Sequence, residues 1–150
     1  MTNADSKTPT AAAWLGGLGA LPFVSLAVAT HILAGPMRAL SENALAAYGA
    51  TILSFLGGVH WGLAIASHRQ DPQMKLMGWL VLSVIPSLLG WSALLLPMTA
   101  GLPIQAISFA VMLWVDLRVT KIGRAPTWYP NLRVPLTCAV VASLILGAVA

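Results

Sequence analysis

The chain has 150 residues, of which 58% are hydrophobic and only 8% charged. Soluble domains carry about 25% charged residues, so this composition excludes a water-soluble globule and makes a lipid bilayer the expected solvent. The net charge of +4 does not indicate nucleic acid, because the basic residues sit in short gaps between apolar runs and form no basic face.

Residues 1–10, MTNADSKTPT, read as a disordered or flexible cytoplasmic tail, with one lysine and no arginine, unlike an Arg-rich transit peptide. The first apolar run, Ala11 to Ala34, has 24 residues, enough to cross a hydrocarbon core of about 30 Å at about 1.5 Å per residue. It exceeds the hydrophobic region of a signal peptide, which leaves cleavage near Gly35 as the lesser alternative. Runs at Asn43–Ala66, Leu76–Leu96, Ile104–Thr120 and Val134–Ala150 complete five expected spans. Asp71-Pro72 offers an N-cap and first-turn proline for the third helix, Pro130-Asn131 does the same for the fifth, and Pro97 to Pro103 is a tight uncharged connection. The expected fold is all-α: a single five-helix transmembrane bundle over residues 11–150.

In this arrangement Lys7, Arg69, Lys75, Arg118, Lys121, Arg124 and Arg133 fall on one side and Arg38 alone on the other. The positive-inside rule then places the N-terminus in the cytoplasm and the C-terminus outside, with a bacterial inner (cytoplasmic) membrane as the expected address. Trp14, Trp79, Trp114, Trp128 and Tyr129 lie near the cytoplasmic ends of their runs, and Tyr48 and Trp91 near the opposite face, as interfacial rings do.

The second run carries Ala46, Ala50, Ser54, Gly58, Gly62 and Ala66 at four-residue spacing. Such a row of small residues lets another helix approach closely. Within the chain its expected partner is the Gly16–Ala20 stretch, the alternative being a homodimer interface. His60 points about 160° away from Gly58 and Gly62, so this helix is expected to be buried on two sides at the bundle centre. Pro22 and Pro86 kink the first and third helices, and Ser83 and Ser87 lie close enough to satisfy the carbonyl freed by Pro86.

Ionisable groups inside spans are the functional candidates. His60 and Asp116 lie at depths that match within about 5 Å, and Asp116 shares a helix face with Gln105, Phe109 and Met112. The segment from Lys121 to Arg133 brings Trp128, Tyr129 and Arg133 to the same membrane face. The candidate polar pocket therefore comprises His60, Asp116, Arg118, Tyr129 and Arg133. The alternative reading is a structural His–Asp or Asp–Arg pair that fixes helix register beside ordinary positive-inside arginines. His31 lies about 30 Å from that face and His60 only about 9 Å, so the two cannot share a haem iron, and His68 falls in a loop. Cys138 is the single cysteine, and no zinc array, Ser/His/Asp triad or phosphate loop is present. No metal, cofactor or catalytic residue is expected.

The runs LGGLGALPF (15–23), YGATILSFLGGVHWG (48–62) and SVIPSLLGW (83–91), with Asp116 and PTWYPNLRVPLT (126–137), resemble an uncharacterised integral-membrane family. It is a domain of unknown function whose animal, mitochondrial members are called transmembrane protein sixty-nine. The resemblance implies a multi-pass membrane protein, bacterial here, with no established activity. It includes Gly57, His60, Trp61, Asp116, Trp128, Tyr129 and Arg133.

Three functions are weighed on these grounds. The leading expectation is a non-catalytic accessory or assembly component of a membrane complex. A small carrier or proton-conducting protein using His60 and Asp116 is the alternative. Third comes a lipid- or quinone-binding membrane enzyme, with His60 carrying protons and Arg118 or Arg133 holding an anionic head group. Expected partners are membrane lipids and other membrane proteins or a homo-oligomer, and no nucleic acid.

Overall fold

The computed structural model describes residues 7–150. The first six residues of the expected tail, Asp5 among them, lie outside the described residues. Among those described there are five helices and no strand: α1 (Thr10–Ile32), α2 (Gly35–Gln70), α3 (Leu76–Ala93), α4 (Met98–Lys121) and α5 (Tyr129–Ala148). All five are long and apolar enough to cross a membrane. None of their N-caps makes a side-chain hydrogen bond; Pro9 and Pro97 stand at the N-caps of α1 and α4, and a proline enters the first turn of α2 and α5. Proline suits a helix start because its missing N–H is one that would have no helical partner there.

The helices close into a ring in chain order, with α1 against α5, and α2 reaches across to α4 and touches α5. The start of α1 and the α2–α3 and α4–α5 connections form the basic end of the bundle. Near that end Gly16 lets Leu132 and Leu136 of α5 come close to α1. At the opposite end the His31 imidazole donates from Nε2 to the Leu146 carbonyl at 3.0 Å. The core between these ties holds Phe23, Leu45, Leu53, Leu102, Phe109 and Leu144, with the Phe23 ring edge-on to Phe109 at 5.8 Å.

Several boundaries differ from those read in the sequence. Helix α2 begins at Gly35, not near Asn43. Gly35 takes a left-handed φ of +57°, which glycine adopts without Cβ strain, and the expected loop winds into helix stitched by the Arg38–Glu42 pair at 2.9 Å. At 36 residues, α2 is about 54 Å long and outruns the hydrocarbon core. Asp71 does not cap α3, which starts at Leu76; it ends α2, and its carboxylate accepts from the Gln73 N–H at 3.2 Å in a local turn. Pro103 lies inside α4, which already starts at Met98. Ser83 bonds the Leu80 carbonyl, not the Leu82 carbonyl freed by Pro86.

The small-residue row splits. Ala46 and Ala50 are buried, and Ala50 meets Gly90 of α3. Ser54, Gly58, Gly62 and Ala66 face outward, and a Cβ at Gly58 or Gly62 would meet nothing within 4 Å. The GxxxG pair therefore does not pack on the Gly16–Ala20 stretch, and α2 is open on that flank. The close approach is made by its neighbour, Gly57, where a Cβ would run into the Ser83 carbonyl oxygen of α3. One residue is about 100° of helix, enough to exchange a covered face for an open one. Tyr48 also turns inward, donating its hydroxyl to the Gly19 carbonyl at 3.0 Å and tilting against Phe23.

These contacts predict opposite outcomes for adjacent glycines. Gly57→Ala forces α2 and α3 apart and destabilises the bundle by about 1–3 kcal/mol, the usual cost of overpacking, whereas Gly58→Ala leaves it unchanged. Thermal unfolding of both variants in mild detergent checks this.

Candidate functional site

The site is assembled by α2, α4 and α5 toward the basic end. Asp116 is carried by the buried face of α4 with Gln105, Phe109 and Met112, as the helical spacing of those residues requires. After Lys121 the chain reverses sharply. Gly123 takes a φ of +75°, its N–H bonds the Thr120 carbonyl, and the Arg124 N–H bonds Val119. This pair of hydrogen bonds is a Schellman ending, which satisfies two of the last carbonyls of α4. The Arg124 guanidinium then lies over the Trp79 ring of α3 at 5.0 Å, holding the connection over the bundle. Helix α5 consequently starts beside the last turns of α4, with Tyr129 and Arg133 on its inward side.

Asp116 is the hub. His60 donates from Nε2 to its Oδ1 at 2.8 Å, and Arg133 donates from Nε to its Oδ2 at 2.6 Å. The side chains of Asp116 and His60 are 1% and 3% exposed and that of Arg133 9%, so all three are withdrawn from solvent. Tyr129, one helical turn before Arg133 on α5, lies beside the same cluster. Because a carboxylate only accepts, the bond with His60 places the imidazole proton on Nε2. Asp116 thus joins α2 to α5 through α4, with both of its oxygens occupied.

Four of the five sequence candidates therefore converge: His60, Asp116, Tyr129 and Arg133. Arg118 does not. Two residues beyond Asp116, it sits about 200° around α4, on the outward side, with its guanidinium over the Trp114 ring at 4.8 Å. His31 and His60 stand at opposite ends of the bundle, and among the described residues no three His, Cys, Asp or Glu side chains gather as metal ligands.

Two cavities flank the cluster. A narrow cleft of about 10 Å³ borders His60, Trp79 and Arg124, room for at most about one water. On the other flank a cavity of about 340 Å³ lies between α1, α2 and α5, with Phe109 of α4 in its wall. Tyr129, Arg133 and Thr137 are its polar residues beside an otherwise apolar lining. Thr137 is the site residue that sequence reasoning missed. Its signal was spacing: Tyr129, Arg133 and Thr137 recur every four residues and so share one face of α5.

Toward the opposite end, Gln105 donates from Nε2 to the Ala46 carbonyl at 2.9 Å. A Cβ at Gly49 would collide with its amide oxygen, so this glycine makes room for the side chain.

The coupling of charges at Asp116 predicts non-additive mutations. Arg133→Met or Asp116→Leu alone strands a buried charge and lowers stability by about 3–5 kcal/mol, while the double variant recovers most of that loss. Detergent unfolding of the three variants in parallel provides the measurement.

Comparison with known proteins places these positions in a family. Residues 8–149 match the family model described as Protein of unknown function (DUF3429). Transmembrane protein 69 of Xenopus tropicalis is 36% identical over 141 residues, covering 91% of this chain and 53% of the relative. The chain thus spans about half the length of the curated relative it matches. No solved structure matches. With a match that takes in all five helices, the chain belongs to the DUF3429 family of multi-pass membrane proteins.

Proposed function

We propose that this chain is a non-catalytic accessory component of a larger membrane complex, in a bacterial inner membrane with its N-terminus in the cytoplasm and its C-terminus outside. The observation that carries this reading is the uncovered half of the α2 row. Ser54, Gly58, Gly62 and Ala66 face outward, although α2 touches every other helix of the bundle. Association in lipid depends on close van der Waals contact, for which rows of small residues are suited. A transmembrane helix of another protein is the occupant that this spacing fits. The gathering of Lys and Arg at one end of the bundle supports the orientation and the address.

The carrier reading draws less support from the geometry. Both oxygens of Asp116 are engaged by neighbouring helices. Toward the opposite end, the buried Thr30 hydroxyl and Gln105 amide bond backbone carbonyls and do not extend the cluster as a chain of exchangeable protons.

Replacing both outward glycines, as Gly58→Leu with Gly62→Leu, tests the accessory reading without touching the core. The native chain, purified in mild detergent, is expected to bring a second membrane protein in fixed stoichiometry. The variant is expected to lose it at unchanged thermal stability. A native chain that purifies alone or as a homodimer, or a variant that keeps its companion, contradicts the proposal.

A further inference from the structure

The cavity beside the cluster is lined by none of the outward small residues of α2. Its wall is made of Gly16, Phe23, Leu56, Phe109 and Leu136 among other apolar residues, with Arg133 and Thr137 as neighbours on one face of α5. Leu15 and Phe55, on the two helices that flank it, are 71% and 65% exposed, so its surroundings on that side lead out of the bundle toward the membrane. From Tyr129 to Val140 the lining runs along twelve residues of α5, about 16 Å of helix.

Of the three polar residues in this wall, Arg133 and Thr137 are buried and incompletely satisfied. Arg133 spends its Nε on Asp116, while its Nη2 has no partner, and neither has the Thr137 hydroxyl. Thr137 is 3% exposed and Arg133 7%. A buried polar group without a partner is costly, and in hydrocarbon no bulk water offsets that cost. An acceptor oxygen held at this place removes the penalty for both groups.

We propose that the cavity binds a membrane amphiphile headed by a neutral carbonyl oxygen, which accepts from Arg133 Nη2 and the Thr137 hydroxyl while its apolar body lies along α5. The charge balance selects neutrality. The guanidinium is already matched by Asp116 at 2.6 Å, so a second buried anion would lack a counter-charge of its own. The volume of about 340 Å³ is near the lower limit of small-molecule sites, about 300 Å³. It suits one acyl chain or one ring with a short tail, and not a two-chain phospholipid. An ester carbonyl of a lipid and a ring carbonyl of a quinone share this chemistry.

Equilibrium binding to the full chain in nanodiscs, read by native mass spectrometry, separates the sources. The probes are monooleoylglycerol for the ester, decylubiquinone for the ring carbonyl, and oleate for the anion. Saturable binding of either neutral probe is expected, and whichever binds identifies the source. Thr137→Val should weaken it roughly threefold to tenfold, the effect of one hydrogen bond. Ala20→Phe, which fills the cavity from α1, should abolish it, while Cys138→Ser on the outward side of α5 should leave it unchanged. Preference for oleate, no binding of either neutral probe, or binding insensitive to both cavity variants overturns the proposal. The two variants alter different helices, so one that fails to fold leaves the other decisive.

Discussion

A carboxylate inside a membrane-spanning helix must be compensated, and Asp116 imposes that demand on the whole bundle. Its charge is too costly to leave in an apolar interior, so neighbouring helices have to supply partners at its depth. His60 of α2 takes one oxygen and Arg133 of α5 takes the other. Those two bonds fix the rotation of α2 and α5 about their axes. They also require a short, rigid reversal after α4, which the left-handed Gly123 and the Arg124–Trp79 stack provide. The arrangement at the basic end is thus the geometric consequence of one acidic side chain.

Rotation of α2 has a second consequence, because neighbouring residues of a helix point about 100° apart. With His60 directed inward, Gly57 is pressed against the α3 backbone while Gly58 and Gly62 are left open. Adjacent glycines therefore differ in surroundings: one allows two helices of this chain to touch, and the others lie on an open surface. The same rotation leaves space between α1, α2 and α5 beside Arg133. The buried cluster, the open row and the cavity are three views of a single helix orientation.

Much of this was legible in the sequence, and what was not has physical reasons. The five apolar runs announced the helices because length and hydropathy alone decide what crosses a bilayer. Helix ends were less legible: residues 35–42 are polar enough to resemble a loop, yet helix can continue past the hydrocarbon core, and an Arg38–Glu42 pair favours it. The matching depths of His60 and Asp116 are legible because rise per residue is uniform. Arg118 is close to Asp116 in sequence, but its angular position on α4 turns it outward over Trp114. The Gly58–Gly62 spacing announced close packing but not its partner, because a periodic row states which residues share a face and is silent on what covers it. Thr137 escaped notice because a threonine in an apolar helix usually bonds its own backbone, and only the structure shows its hydroxyl without a partner.

The central claim is that one carboxylate links α2, α4 and α5, and internuclear distances in a bilayer test it most directly. Solid-state NMR on the reconstituted chain, labelled with ¹⁵N in histidine and arginine and ¹³C in aspartate, reads dipolar couplings from His60 Nε2 and Arg133 Nε to the Asp116 carboxyl carbon. The account predicts two couplings, each corresponding to about 3.5 Å, as hydrogen-bonded nitrogens require. Absence of either coupling, or distances beyond about 5 Å and so outside hydrogen-bonding reach, would contradict it.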